Sequence, residues 1–181
     1  MLKKPLGQLK QVDLRDVWLS ESCDFTPYRQ IQLKFWTEFR QHMESKGSFI
    51  KCQKPLPQSW TNYTLGRSGV HLASVVSIWN SLTGKKGPEI RAELYLDGPK
   101  AKQEFAILEK QKQTIEAKLG LNLTWHNQDN TDSCRLYTRQ DADFTNEALW
   151  PEQFEWLRTR LEKMHQVFTP LVKDLKQSSL E

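Results

Sequence analysis

The acidic and basic residues of the central segment decide whether this sequence can support metal-assisted hydrolysis. That chemistry needs two carboxylates on adjacent strand edges to hold Mg²⁺, and a nearby lysine to orient or activate the attacking water. The stretch 70–79 contains no acidic residue, and the lysine position after Glu93 is occupied by Tyr95. Glu93 and Asp97 remain as the carboxylates of an alternative, degenerate site. We therefore expect no catalytic centre, no bound metal and no cofactor.

Other familiar catalytic patterns do not match this sequence. Residues 66–69, Gly-Arg-Ser-Gly, lack the Gly-x-Ser-x-Gly spacing of a nucleophile elbow. Residues 84–87, Gly-Lys-Lys-Gly, lack the spacing of a phosphate-binding loop and precede a strand pattern. The four histidines are never three or four residues from another histidine or a cysteine, as paired metal ligands on a helix would be. These segments are interpreted as turns and loops.

A basic and aromatic hairpin surface is the feature that remains. Cationic side chains contact phosphates and aromatic side chains stack on bases, so this composition suits a nucleic-acid surface. The alternative is that the tryptophans lie in the core, the lysines are merely solvated, and Arg91 pairs with Glu93. The predicted DNA- or RNA-binding residues are Arg67, Lys85, Lys86, Arg91, Trp60 and Tyr63, with Trp79 interleaved among them.

Composition places the chain among ordinary globular proteins. It has 181 residues, of which 38% are hydrophobic and 27% charged, with a net charge of +4. That mild excess of positive charge permits a polyanion as partner. Its three cysteines are odd in number, which favours reduced thiols over a disulfide framework. No apolar stretch approaches the roughly 18 residues of a membrane span. We expect a soluble, cytoplasmic protein with no membrane partner.

The spacing of apolar residues predicts three helices. Ile31, Phe35 and Phe39 recur at helical intervals, after a capping Thr26. A proline at position 170 is expected to kink or end the last helix. The predicted helices are Tyr28–Lys46, Lys100–Leu119, and a long one from about Asn146 or Pro151 to Lys176.

Between the helices the pattern changes to that of strands. In residues 89–97 apolar and polar side chains alternate, as in a strand with one buried face. The predicted strands are Ser59–Leu65, Val70–Trp79, Glu89–Asp97, Leu121–His126 and Cys134–Arg139, with Phe49–Gln53 as a short additional one. The order α-β-β-β-α-β-β-α predicts an α+β fold, a mixed or antiparallel sheet covered by helices. The same order suits a restriction-endonuclease-like fold that lacks its catalytic residues.

Three segments carry a family resemblance. They are WTNYTLGRSGVHLASVV at 60–76, IRAELYLDG at 90–98 and the aromatic stretch WPEQFEWLRTRLEKMHQVFTPLV at 150–172. In this order and spacing the chain resembles the prokaryotic family catalogued as domain of unknown function 4268, over roughly residues 28–175. Proteins with this domain often carry it behind a nuclease-like module of the restriction-endonuclease type.

The N-terminal segment extends the resemblance. Its LGQLKQVDLRDVW and DFTP motifs are similar to the opening of that upstream module, whose body is missing here. We therefore interpret residues 1–27 as an arm left from a lost module, 28–177 as one α+β domain, and 178–181 as a tail resembling a cloning scar. The resemblance implies a link to DNA metabolism or defence.

The expected function is that of a non-catalytic accessory domain in a nuclease or defence-type system. It would act by binding nucleic acid or a partner protein. One alternative is a degenerate metal-dependent nuclease that uses Glu93 and Asp97. Another is a homodimeric interaction module that associates through the long C-terminal helix or through the arm at Trp18.

Overall fold

Five strands and four α-helices make up the described part of the chain. The computed structural model describes residues 26–127 and 131–177. The tail 178–181, and all of the predicted arm except its last two residues, lie outside the described residues. In chain order the elements are α1 (Pro27–Ser45), β1 (Trp60–Thr64), β2 (Val70–Trp79), β3 (Lys86–Asp97), α2 (Ala101–Glu109), α3 (Lys112–Leu119), β4 (Thr124–Asn127), β5 (Ser133–Asp141) and, after a short 3-10 turn, α4 (Trp150–Gln177).

The strands form one antiparallel sheet in the order β1-β2-β3-β5-β4. On β3 the apolar side chains Ile90, Leu94 and Leu96 point to one face and are fully buried. That face packs against α2 and α4, while α1 packs on α4. The predicted α+β fold with an antiparallel sheet covered by helices is confirmed. We call the sheet face opposite the helices the distal face.

Aromatic packing holds α1 on α4. Thr26 caps α1 by accepting a hydrogen bond from the backbone N–H of Arg29 at 3.4 Å. The ring of Phe35 then meets Phe154 and Trp150 edge-on, at centroid distances of 4.9 and 5.4 Å. Helix α1 thus begins and ends within a residue of the predicted bounds, and its apolar stripe lies in the core.

Two predictions about elements are wrong, and a third is settled in part. Phe49–Gln53 is not a strand: Ile50 is buried, but the prolines that follow remove backbone donors from any ladder. Helix Lys100–Leu119 breaks at residues 110–111, where a polar run offers the core no side chain to hold. Of the two effects predicted for Pro170, a kink or an end, the end does not occur: α4 continues to Gln177, with the buried Phe168 and Val172 on either side of the proline.

The turns at the two ends of β2 connect it to the neighbouring strands β1 and β3. The β1–β2 turn contains Gly69, whose φ is +78° and where an added Cβ would lie 2.9 Å from the carbonyl oxygen of Asp97. Only glycine fits this position without strain. The β2–β3 loop, residues 80–85, lies at the opposite end of β2. Since β2 has ten residues, the two turns are about 30 Å apart.

Candidate binding site on the distal sheet face

A cavity of about 730 Å³ lies on the distal face. Strand register sets its walls, because residues paired across antiparallel strands point to the same side. Three successive rows of four side chains cross β1, β2, β3 and β5 in this way. They are Trp60–Val75–Arg91–Arg139, Asn62–Ala73–Glu93–Tyr137 and Thr64–His71–Tyr95–Arg135.

The middle row forms the floor of the cavity. Ala73 has the smallest side chain of the row and lies between Asn62 and Glu93. Neighbouring strands are about 5 Å apart, so the Cα atoms of Asn62 and Glu93 are separated by about 10 Å. Ala73 is only 3% exposed, so its neighbours cover most of this floor.

A buried carboxylate anchors the arginines beside the cavity. Glu89 is fully buried. One of its oxygens accepts a hydrogen bond from Arg91 Nη1 at 2.8 Å, and the other accepts from Arg139 Nε at 2.5 Å and from the backbone N–H of Ser81 at 3.0 Å. Such charge-assisted bonds fix the guanidinium groups in position. Arg139 also pairs with the exposed Asp141.

Glu93 forms a longer ion pair with Arg91 than Glu89 does. Its side chain is 6% exposed, and Arg91 Nε lies 3.4 Å from its Oε2 atom. Nε of Arg91 and Oε2 of Glu93 thus form a long ion pair with each other, while Oδ1 of Asn62 forms no hydrogen bond with the described residues. Burial raises the pKa of Glu93 above its ordinary value, against the opposing charges of Arg91 and Arg135. Arg91 and Glu93 are thus held against each other in the wall of the cavity.

The third row adds an aromatic wall. The rings of His71 and Tyr95 lie 5.3 Å apart, and the guanidinium carbon of Arg135 lies 5.6 Å from the Tyr95 ring centroid. Burial lowers the pKa of His71, with Asp97 opposing the shift, so the imidazole is neutral at pH 7.

Two exposed tryptophans stand at the rim. Trp60 is 48% exposed and Trp79 56%, and both line the cavity. Lys86 pairs with Trp79 across the β2–β3 ladder, and Lys85 precedes it in the loop. Both lysines are exposed. The rim therefore combines flat aromatic surface with exposed positive charge.

Comparison of the sequence with known protein families identifies one to which it belongs. The sequence profile described as "Domain of unknown function (DUF4268)" matches residues 31–172. This chain belongs to the DUF4268 family. The matched region contains all five strands of the DUF4268 sheet and every residue of the three rows.

This DUF4268 domain was also compared with solved structures and with curated proteins. The crystal structure of YbjN from E. coli is similar over 77% of this chain and 92% of that one, with 11% sequence identity and a TM-score of 0.38. No curated protein matches the chain. Within residues 26–127 and 131–177, no helix combines the length and apolarity that crossing a bilayer requires.

The residues predicted to bind nucleic acid do not form one patch in the DUF4268 domain. Arg67 lies in the β1–β2 turn and pairs with the buried Glu104 of α2, at the far end of β2 from Lys85 and Lys86. Tyr63 is 1% exposed in the core, and its hydroxyl oxygen is 3.2 Å from that of Ser74. Tyr63 therefore cannot stack on a base, and Arg67 is already neutralised.

The other predicted residues lie together around the cavity. Trp60 and Arg91 both line it, although Arg91 is 12% exposed and shared between Glu89 and Glu93. Arg91 therefore lines the site and is not free to contact a phosphate. The two lysines remain at the rim.

The carboxylates of the alternative nuclease site are far apart. Glu93 and Asp97 lie four residues apart on the same strand, so their Cα atoms are separated by about 13 Å. Among the described residues, no group of three or more histidine, cysteine, aspartate or glutamate side chains could hold a metal ion. The geometry does not bring Glu93 and Asp97 to one ion.

Sequence reasoning missed several residues of the site. Asn62, Ala73, His71 and Arg135 were not singled out, although all four line the cavity. The alternation along β1 and β2 could have identified some of them, because Asn62 lies two residues after Trp60 and so points to the same face of the strand. No local pattern predicts that Arg135 lines the cavity, because its position depends on β5 pairing with β3 rather than with another strand.

Proposed function

We propose that this DUF4268 domain is a non-catalytic binding module that takes single-stranded nucleic acid on the distal face of its sheet. The observation that supports this most is the pair of half-exposed tryptophans, Trp60 and Trp79, at the rim of a cavity and beside Lys85 and Lys86. Stacking on aromatic rings and contacts between cations and phosphates are the two components of single-strand recognition.

The exposure of the tryptophans favours a single strand over a duplex. Base faces within a duplex are covered by their neighbours, so a protein ring reaches them only where the bases are unpaired. Trp60 and Trp79 leave about half of their surface accessible, which suits stacking. Lys85 at the end of the adjoining loop and Lys86 at the start of β3 would contact the backbone of the same nucleic-acid strand.

The proposed biological setting follows from the N-terminal segment. Its resemblance to the start of a nuclease-like module supports an accessory role in a nuclease or defence-type system. In that role the domain would hold a strand while another module acts on it. The free thiols of Cys52 and Cys134 accord with a reducing, cytoplasmic environment.

Fluorescence anisotropy with labelled thymine oligonucleotides tests the proposal. We expect binding at low salt to a single strand, and weaker binding to the matching duplex. Trp60→Ala combined with Trp79→Ala should reduce affinity by at least tenfold, since each stacked base contributes about 1–3 kcal/mol. The control is Trp156→Ala, a partly exposed tryptophan on α4 that does not line the cavity.

Two results would overturn the proposal. One is the absence of binding to DNA and RNA strands at low salt. The other is an equal loss of affinity in the control and in the double variant. Capture of a protein partner by the same face, with no nucleic acid bound, would instead favour an interaction module.

A further inference from the structure

Resting on the proposed single-strand binding, we infer that Arg135 binds a phosphate of the nucleic-acid strand, which crosses the cavity from Trp60 to Arg135. These two residues line opposite corners of the cavity, on β1 and β5. The inference goes beyond the rim contacts of Lys85 and Lys86, because it assigns a further phosphate to a named group within the cavity and gives the bound strand a path.

Arg135 differs from the other arginines of the three rows in having no ion pair. Arg91 and Arg139 are joined to Glu89 and Glu93 by ion pairs, so two positive and two negative charges largely cancel beside the cavity. Among the described residues, no aspartate or glutamate forms an ion pair with Arg135. Its positive charge is therefore the one that an anion entering the cavity would meet.

The neighbours of Arg135 in its row supply further donors. Tyr95 on β3 and His126 on β4 pair with it across the sheet, and all three side chains are partly exposed. Their side-chain nitrogen and oxygen atoms form no hydrogen bond with the described residues and remain accessible to solvent. The guanidinium, the phenol hydroxyl and an imidazole N–H can therefore donate to phosphate oxygens without losing an existing partner.

The ring of Tyr95 holds the guanidinium in place. The guanidinium carbon of Arg135 lies 5.6 Å from the ring centroid, within the range of a cation–π contact. An aromatic ring, unlike a carboxylate, leaves the charge of the guanidinium uncompensated and its forked N–H groups unused. That fork matches two oxygens of one phosphate.

Two acids lie near Arg135 without pairing with it. Glu93 is attracted by its charge, but Glu93 is buried and its ion pair is with Arg91. Asp97 follows Tyr95 on the same face of β3 and is exposed, so solvent screens its charge. Neither carboxylate occupies the donors of the Arg135 guanidinium, which leaves them to a ligand.

The distance between the two corners sets the length of nucleic acid that the path requires. Trp60 and Arg135 lie three strands apart across the sheet and two rows apart along it, so their Cα atoms are separated by about 20 Å. A stacked nucleic-acid strand rises about 3.4 Å per nucleotide, so about six stacked nucleotides, or fewer extended ones, cover this span. A dinucleotide is too short to reach both corners.

Fluorescence anisotropy with thymine oligonucleotides tests the phosphate contact. Arg135→Gln should weaken binding about tenfold, as expected for the loss of a charge-assisted hydrogen bond. It should also reduce the slope of log affinity against log salt concentration by about 0.7, the value for one phosphate of a single strand. Arg135→Lys keeps the charge but not the fork, so it should retain the slope and recover only part of the affinity.

Arg160→Gln is the matched control. Arg160 lies on α4 in the helical layer, where its guanidinium carbon is 5.7 Å from the Trp156 ring centroid, and it too has no ion pair with the described residues. This variant removes the same charge from the same kind of contact, away from the distal face, and should keep the wild-type affinity and slope. Equal losses in Arg135→Gln and Arg160→Gln would overturn the inference, because they would reflect net charge.

A length series with the wild-type protein tests the path without any variant. Affinity should rise at least tenfold from the thymine dinucleotide to the octanucleotide, and this rise should be smaller in Arg135→Gln. A dinucleotide that binds as tightly as the octanucleotide would overturn the path. This series remains decisive should Arg135→Gln fail to fold.

The outcomes separate this inference from the function on which it rests. If thymine strands bind to the wild-type protein and Arg135→Gln has the same affinity and slope, the phosphate contact is overturned and single-strand binding stands. If no strand binds, both are overturned.

Discussion

Arg91 and Glu93 stand two residues apart on the same face of β3, where Nε of Arg91 lies 3.4 Å from Oε2 of Glu93 in a long ion pair. Two residues earlier, Glu89 takes charge-assisted bonds from Arg91 and Arg139. The strand thus carries one carboxylate held by several short bonds and one, Glu93, held by a single longer ion pair. Glu93 lies at the cavity, where burial rather than a strong partner dominates its electrostatics.

The titration of Glu93 gives the first prediction. Burial raises its pKa above the ordinary 4.5, and the groups that act on it are Arg91, Arg135 and Glu89. Because the folded state binds the proton more tightly than the unfolded state, the stabilising contribution of this group is present below pH 4.5. It is lost as the pH rises through the raised pKa.

Urea unfolding across this pH range measures the effect. The free energy of unfolding of Glu93→Gln should increase relative to that of the wild-type protein as the pH rises above 4.5. Glu109→Gln serves as the exposed control and should show no such trend. A difference between wild type and Glu93→Gln that stays constant with pH would show that Glu93 is not the titrating group.

Much of this site can be predicted from the alternation of side chains along the strands. The rest depends on contacts between residues that are far apart in the sequence. Trp60 and Tyr63 were predicted to share a surface, but they are three residues apart on one strand, so a period of two puts them on opposite faces. The alternation along this strand was therefore already incompatible with a surface shared by Trp60 and Tyr63. By contrast, Arg67 finds its partner Glu104 thirty-seven residues away on α2. No local pattern reveals a contact set by how a helix packs on a sheet.

The Arg67–Glu104 pair gives the second prediction. The side chains are 18% and 6% exposed, so removing one partner leaves a charge in a largely desolvated place. Glu104→Gln should lower the free energy of unfolding by about 2–3 kcal/mol, less than for a fully buried pair because Arg67 retains some contact with water. Urea unfolding measures it, with the exposed Glu109→Gln on the same helix as control.

A second variant checks that the loss comes from the orphaned charge. Replacing both partners, Arg67→Met with Glu104→Leu, should recover most of the stability, because neither charge is then left buried. If the double variant is as unstable as Glu104→Gln, the pair contributes through specific packing instead. Nucleic-acid affinity should be the same in all folded variants, since Arg67 lies at the far end of β2.

The rim lysines give the last prediction. Lys85→Ala with Lys86→Ala removes two exposed cations next to Trp79. The logarithm of single-strand affinity falls with the logarithm of salt concentration, by about 0.7 for each phosphate neutralised. The double variant should therefore reduce that slope by about 1 to 2 and weaken binding to all strands alike.

The matched control removes the same charge from the helical layer. Lys110 and Lys118 are exposed residues at the ends of α2 and α3, away from the distal face. Their double alanine variant should retain the wild-type slope, since a charge beyond about 10 Å is largely screened at ordinary salt. If both double variants reduce the slope equally, the dependence reflects net charge, and Lys85 and Lys86 do not contact the strand.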